Sequence, residues 1–361
     1  MRLIPCCLAL LSILELYLQI ESAHATDGLP EAVTNRTPHA DEEIATSFSA
    51  EHAARYLDNT ATRWQKKRQC GSCHTSFAYL LGRPALESVR PSPPTVRAYF
   101  ERMIEVDWPT KGPRWTAEVV CVASTFAVHD AATTGKLSPS TLSAFDRMFK
   151  LQRDDGGWDW LRAGWPPFES DEHYGVTLAA IGLGTAPDDF AGANNEARAC
   201  VDGIRRYLST HRPASLHQRA MVMWASIRID GILSADGRRK TLEALLREQR
   251  PDGGWALATL IPKTHKRLDN APQDFETSDG YGTGFVVYVA RLAGVPREDV
   301  RLQRGIAWLK TNQRVSGRWF TRSPTRDSRH FISNAGTAYA ALALAACGEM
   351  QEQRTYRTRR F

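Results

Sequence analysis

Apolar positions recur at helical spacing along most of the chain. "STLSAFDRMFK", "KTLEALLRE" and "RGIAWLKT" place apolar side chains three and four residues apart, which lines one face of an α-helix. Each of these runs ends in a turn of one type: "LQRDDGGWDW" at 151–160, "EQRPDGGWAL" at 248–257 and "NQRVSGRWFT" at 312–321. In every case a Gln is followed by five residues and then a Trp: Gln152/Trp158, Gln249/Trp255 and Gln313/Trp319. Glycine in the turn is the expected stop for the helix before it. A second helical run follows each turn, opened by polar residues and filled with small apolar ones: "DEHYGVTLAAIGLG", "SDGYGTGFVVYVARLAG" and "SNAGTAYAALALAACG". Runs that are apolar all round belong inside, and amphipathic ones belong outside.

Three further pairs fill the remaining sequence without a full Gln/Trp turn. They are "AEHAARYLDNTATRWQKKRQ" with "CHTSFAYLLGRPAL", "TVRAYFERMI" with "RWTAEVVCVASTFAV", and "CVDGIRRYLSTH" with "SLHQRAMVMWASIRIDG". Six helix pairs between about residues 50 and 350 predict an all-α protein, an α6/α6 toroid with inner helices ringed by outer ones. Closing the ring removes the end faces that an open solenoid must cap. No alternating run with hairpin turns supports strands.

The ends differ from this pattern. Arg2, a mostly apolar run and Ala23-His24-Ala25 predict a signal peptide over residues 1–25, and hence a secreted or periplasmic protein. Glu15 interrupts the apolar run, and no later run is long enough to span a bilayer, so no stable membrane span is expected after cleavage. A retained N-terminal anchor is the alternative. Residues 26–49 are polar and predict a flexible leader, and residues 351–361 form a basic tail. The net charge is +6 over 361 residues, but the basic residues are scattered and not interleaved with aromatics, which argues against nucleic acid as a partner.

The Gln-x5-Trp turns resemble the QW motifs of squalene–hopene cyclases and related prenyltransferase-type toroids. "SDGYGTGFVVYVARLAG…RGIAWLKTNQ…GRW" is similar to their C-terminal repeats, and the similarity spans nearly the whole chain after residue 50. The resemblance implies that the Gln and Trp side chains tie a helix end to the neighbouring repeat, a structural role. The chain departs from the family in having room for a single toroid and in lacking the Asp-x-Asp-Asp acid motif.

In such a toroid the starts of the inner helices form one rim of the central cavity. Aligned by repeat, the polar residues there include His74, Glu118, Asp171, His173, His217, Gln218, Asp279, Tyr281 and Asn334. Helix capping explains Asp171 and Asp279 as single residues. In the first repeat the slot of the Gln/Trp turn holds Cys70-Gly71-Ser72-Cys73-His74, the Cys-x-x-Cys-His signature of covalent haem c. Cys70 and Cys73 would hold the vinyl groups and His74 the iron. A Cys70–Cys73 disulfide and a zinc site drawing on His74, His173 or His217 are the alternatives. The remaining Cys121, Cys200 and Cys347 lie in apolar runs that predict buried thiols.

Two functional expectations follow. The first is an exported, cyclase-like toroid with haem c, acting in electron transfer with a redox partner protein or in redox chemistry on an apolar ligand. The second is a terpenoid cyclase or prenyltransferase-like enzyme on an isoprenoid, with Asp171, Asp279 and Tyr281 as catalytic groups. A binding module without catalysis is the third alternative.

Overall fold

The computed structural model describes residues 37–350. The expected signal peptide, the first part of the leader and the basic tail lie outside the described residues. Twelve principal helices alternate between an outer and an inner layer. The outer ones are α1 (Ala50–Arg68), α3 (Thr95–Arg102), α5 (Pro139–Lys150), α7 (Asn195–Thr210), α9 (Ala235–Arg247) and α11 (Val300–Thr311). The inner ones are α2 (Ala78–Gly82), α4 (Thr116–Thr133), α6 (His173–Thr185), α8 (Leu216–Arg228), α10 (Gly280–Leu292) and α12 (Ile332–Ala346). A π-helical turn, Cys73–Phe77, leads into α2. Among the described residues, extended pairing is limited to two isolated bridges, Ile44 with Arg314 and Trp165 with Glu169.

The inner helices touch in chain order, α2 to α4 to α6 to α8 to α10 to α12, and α12 returns to pack on α2. The predicted toroid is therefore a closed ring. Local sequence sets the helix starts. Ser49, Ser138, Asn194, Ser215, Ser234 and Asp279 each accept a hydrogen bond from a backbone N–H of the first turn. Small residues allow close packing inside: a Cβ on Gly284 of α10 would lie 2.5 Å from the Ala340 backbone nitrogen of α12.

The Gln/Trp turns are ties between repeats. Trp158, Trp255 and Trp319 are fully buried, and each donates its indole N–H to a carbonyl of the outer helix it follows, at 2.9, 2.8 and 2.7 Å. Gln152, Gln249 and Gln313 each donate to a carbonyl within the turn and to one in the next repeat: Cys200, Arg301 and Ser49. The third tie crosses the seam between the chain's last and first repeats. Gly156 shows why the turn needs glycine: its φ is +89°, and a Cβ would fall 1.9 Å from the Gly203 carbonyl oxygen.

The leader expectation changes at its C-terminal end. Ala45 N–H donates to the Gln313 carbonyl at 2.8 Å. Glu42 is buried and pairs with the fully buried Arg318. A buried carboxylate beside a guanidinium is fixed by charge, which composition alone did not reveal.

Candidate functional site

The sequence-predicted rim residues do not converge on one cavity. Asp171 accepts from the His173 backbone N–H at 2.9 Å and from the Gln218 amide at 2.8 and 2.9 Å, so it caps α6 and ties it to α8. Asp279 caps α10, accepting from Gly282 N–H at 2.8 Å and Leu257 N–H at 2.6 Å, and burial pushes its carboxyl up to about 6. It lines a hollow of about 530 Å³ beside Asp252, Asp274 and Arg322. Tyr281 points elsewhere. A hydrogen bond of 2.9 Å joins its hydroxyl to His217 Nε2, and its ring lies 5.0 Å from that of Tyr339. Tyr174, His217, Tyr281, Phe285 and Tyr339, all at most 4% exposed, fill the region where α6, α8, α10 and α12 converge.

An aromatic cleft opens beside the first repeat. A cleft of about 450 Å³ is lined by Trp64, His74, Trp115, Trp165, Phe168 and Phe331. Its charged lining consists of Arg68, Arg326, Arg329 and Glu169. Trp115 and Trp165 stand at its mouth, 46% and 41% exposed. Arg68 lies over the Trp64 ring and Arg326 over Trp165, at 5.7 and 5.8 Å. Among the described residues Arg68, Arg326 and Arg329 pair with no carboxylate, so their charge is available to a ligand.

Local structure aims the other groups. Trp165 and Glu169 exchange backbone hydrogen bonds across a tight turn, which puts both side chains on one face. The Glu169 carboxyl has no hydrogen-bond partner among the described residues, and burial raises its pKa. His74 sits in the π-helical turn, its ring stacked on Phe331 at 5.4 Å and edge-on to Trp64 at 4.9 Å. Nδ1 lies 2.7 Å from the Thr75 hydroxyl, which leaves Nε2 without a hydrogen-bond partner among the described residues. Burial pulls its pKa down to about 4, so the ring is neutral at neutral pH. The Trp64 indole N–H, also in the cleft wall, is buried without a partner.

The Cys-x-x-Cys-His segment is split by this geometry. Cys70 and His74 line the cleft, whereas Cys73 is buried and lines a separate void of about 30 Å³ with Cys121. Of the two motif cysteines, Cys70 lines the cleft, whereas Cys73 is 5% exposed and does not line it. The residues as placed do not fit a haem held by two thioethers, and no step is derived through haem. For the zinc alternative, the described residues contain no group of three or more His, Cys, Asp or Glu side chains placed to hold a metal ion, and His217 is committed to Tyr281. No helix among the described residues is long and apolar enough to cross a membrane.

No family model matches the chain, and no curated protein matches it. Among solved structures it is similar to a polysaccharide lyase, with 13% identity over 83% of this chain and 88% of that one, at a TM-score of 0.36. It is also similar to a glycosyl hydrolase of family 88 from Bacteroides vulgatus, with 11% identity over 93% of this chain and 99% of that one, at a TM-score of 0.34. The class defined by fold and contacts is an α/α toroid. At these scores the likeness concerns helix layout, and no residue role is carried over.

The geometry of the site corrects the functional expectation. Both similar structures bear the names of carbohydrate-active enzymes, and neither is a squalene cyclase or a haem protein. The labels of haem electron transfer, cytochrome and terpene cyclisation are withdrawn with it. The physical reasons lie in the site. The centre of the ring is filled by buried aromatic rings, Asp171 and Asp279 are used as caps, and of the two motif cysteines Cys70 lines the cleft while Cys73 is buried.

Sequence reasoning singled out Cys70 and His74 but missed Trp64, Trp165, Glu169 and Phe331. These come from α1, from the loop between Trp158 and α6, and from the start of α12. A signal existed in "LRAGWPPFES", an aromatic and acidic insertion longer than the turn requires.

Proposed function

We propose that the rim cleft binds and processes a carboxylated saccharide. The observation carrying this reading is the grouping of three unpaired arginines with a partnerless, desolvated Glu169 inside an aromatic cleft. Flat sugar faces can stack on Trp115, Trp165 and Phe331, while arginine forks suit carboxylates. Glu169 is the sole acidic residue in the lining, so a hydrolysis that needs two facing carboxylates is not supported. Elimination next to a carboxylate needs one base and one acid. Neutral His74 takes the proton from the carbon beside the carboxylate, and the arginines stabilise the charge that develops on it. The C–O bond to the leaving sugar breaks, and Glu169, whose raised pKa holds its proton to higher pH, protonates the departing oxygen. No water is consumed.

The test uses oligomers of uronic acids, followed by ultraviolet absorbance of the unsaturated product and by calorimetric binding. The wild type is expected to give both signals. Glu169→Gln is expected to keep binding and lose roughly a hundredfold or more of the rate. Absence of binding by every uronate oligomer tried would end this reading.

A further inference from the structure

The basic run "RWQKKR" closes α1, and helical spacing assigns part of it to one surface. Thr60, Arg63, Trp64 and Lys67 recur three and four residues apart and so form one stripe. That stripe walls a hollow of about 250 Å³ next to the aromatic cleft. Trp64, Arg68 and Phe331 line both spaces and form the partition between them. The charged lining of the hollow is Arg63, Lys67 and Arg68, with no carboxylate. Lys67 is exposed and pairs with no carboxylate among the described residues. The helix dipole accounts for basic residues in the last turn of α1, but Arg63 precedes that turn, and like charges at 63 and 67 repel along the stripe. The Trp64 indole N–H, in the partition, is buried without a hydrogen-bond partner. The other flank of the cleft has the opposite charge. Ser323 and Pro324 line both the cleft and the hollow of about 530 Å³, which sets Asp252, Asp274, Asp279 and Asp327 against Arg314 and Arg322.

We propose that the α1 hollow is a second carboxylate site, and that the ligand is an oligouronate with acids on successive sugars, passing from the cleft over the Trp64–Phe331 partition. The inference rests on the reading of the cleft as a site for a carboxylated saccharide. A chain seated in the cleft has two flanks to leave by. Over Ser323 and Pro324 its next carboxylate meets four aspartates and two arginines, a net repulsion. Over Trp64 it meets three cations and no acid. Charge therefore sets the direction of the chain, and it favours polyuronates over sugars with a single terminal acid. Lys67 supplies a flexible point charge for the second carboxylate, while Arg68 borders both spaces. Two anchored acids hold one chain more tightly than one, because the second contact is intramolecular once the first is made.

The experiment titrates the full chain by calorimetry with a dimer-to-hexamer series of uronate oligomers. The wild type is expected to bind the longer members about fivefold tighter than the dimer. Lys67→Glu is expected to abolish this dependence on length. Lys136→Glu, at an exposed lysine that lines none of these hollows, is expected to keep it. Oligomers with a carboxylate on one terminal sugar alone should show no gain with length. Equal affinity for every length in the wild type, a gain that survives Lys67→Glu, or the same gain with singly charged oligomers would each overturn the second site and leave the cleft reading in place. No binding at any length would remove the cleft reading and this inference with it.

Discussion

His217 illustrates what burial does to one residue. It is 1% exposed, and burial, with a smaller contribution from His173, pulls its pKa down to about 3. Burial likewise lowers His74 and His129 to about 4. Below a pH of about 6.5 the unfolded chain protonates these rings while the folded one does not. The unfolded state then binds more protons, so stability falls as pH drops from about 6.5 toward these folded values. Asp279 acts in the opposite sense: raised to about 6, it favours the folded state as pH falls from about 6 toward 3.8. Three depressed histidines outweigh one raised aspartate, so a net loss on the order of a few kcal/mol is expected between pH 7 and 4. Urea midpoints across this range measure it. His217→Gln should flatten the slope, and a pH-independent midpoint in the wild type would contradict the assignment.

At the scale of elements, the Gln/Trp turn converts a local sequence into a tertiary tie. Gln249 donates to the Gly253 carbonyl within its own turn at 2.9 Å and to the Arg301 carbonyl of α11 at 2.7 Å. The Gly253 carbonyl lies in a tight turn, and the Arg301 carbonyl lies in the first turn of α11 and takes the amide on its second lone pair. Gln249→Ala is expected to destabilise by about 1 kcal/mol, the usual net worth of hydrogen bonds that water can partly replace. Gln249→Glu should gain back nothing, since it removes the donors. Urea denaturation with an unchanged m-value is the check. These ties were legible as a repeat in the sequence, because Gln and Trp keep fixed spacing. Their acceptors were not, because they lie about fifty residues away.

At the scale of the molecule, the seam decides whether the ring is closed. It is held by Gln313 Oε1 accepting from Ser49 N–H at 2.7 Å, by Ser316 N–H donating to Glu42 at 3.0 Å, and by the buried Glu42–Arg318 pair. Removing one member of a buried pair strands the other charge. Glu42→Ala is therefore expected to cost about 3–5 kcal/mol. Hydrogen exchange should show faster exchange concentrated in α1 and the Gln313 turn. Uniform change around the ring would mean that the seam is not a separate weak point.

The division between sequence and fold follows from range. Helical spacing, Ser/Asn/Asp caps and the Gln-x5-Trp turns are local, and they alone determined an all-α chain of six helix pairs. Closure was decided by tertiary contacts, the ties of Gln313 to Ser49 and of Arg318 to Glu42 that join the last repeat to the first. The site was decided by tertiary structure. His74 and Cys70 were visible as a motif, yet neighbours from α1, the 161–169 loop and the 323–331 segment made the cleft what it is. Packing then buried Cys73 beside a small void that Cys121 also lines, while Cys70, only two residues away from it in sequence, lines the cleft. Side-chain direction depends on which helix lies alongside, and that depends on the whole ring.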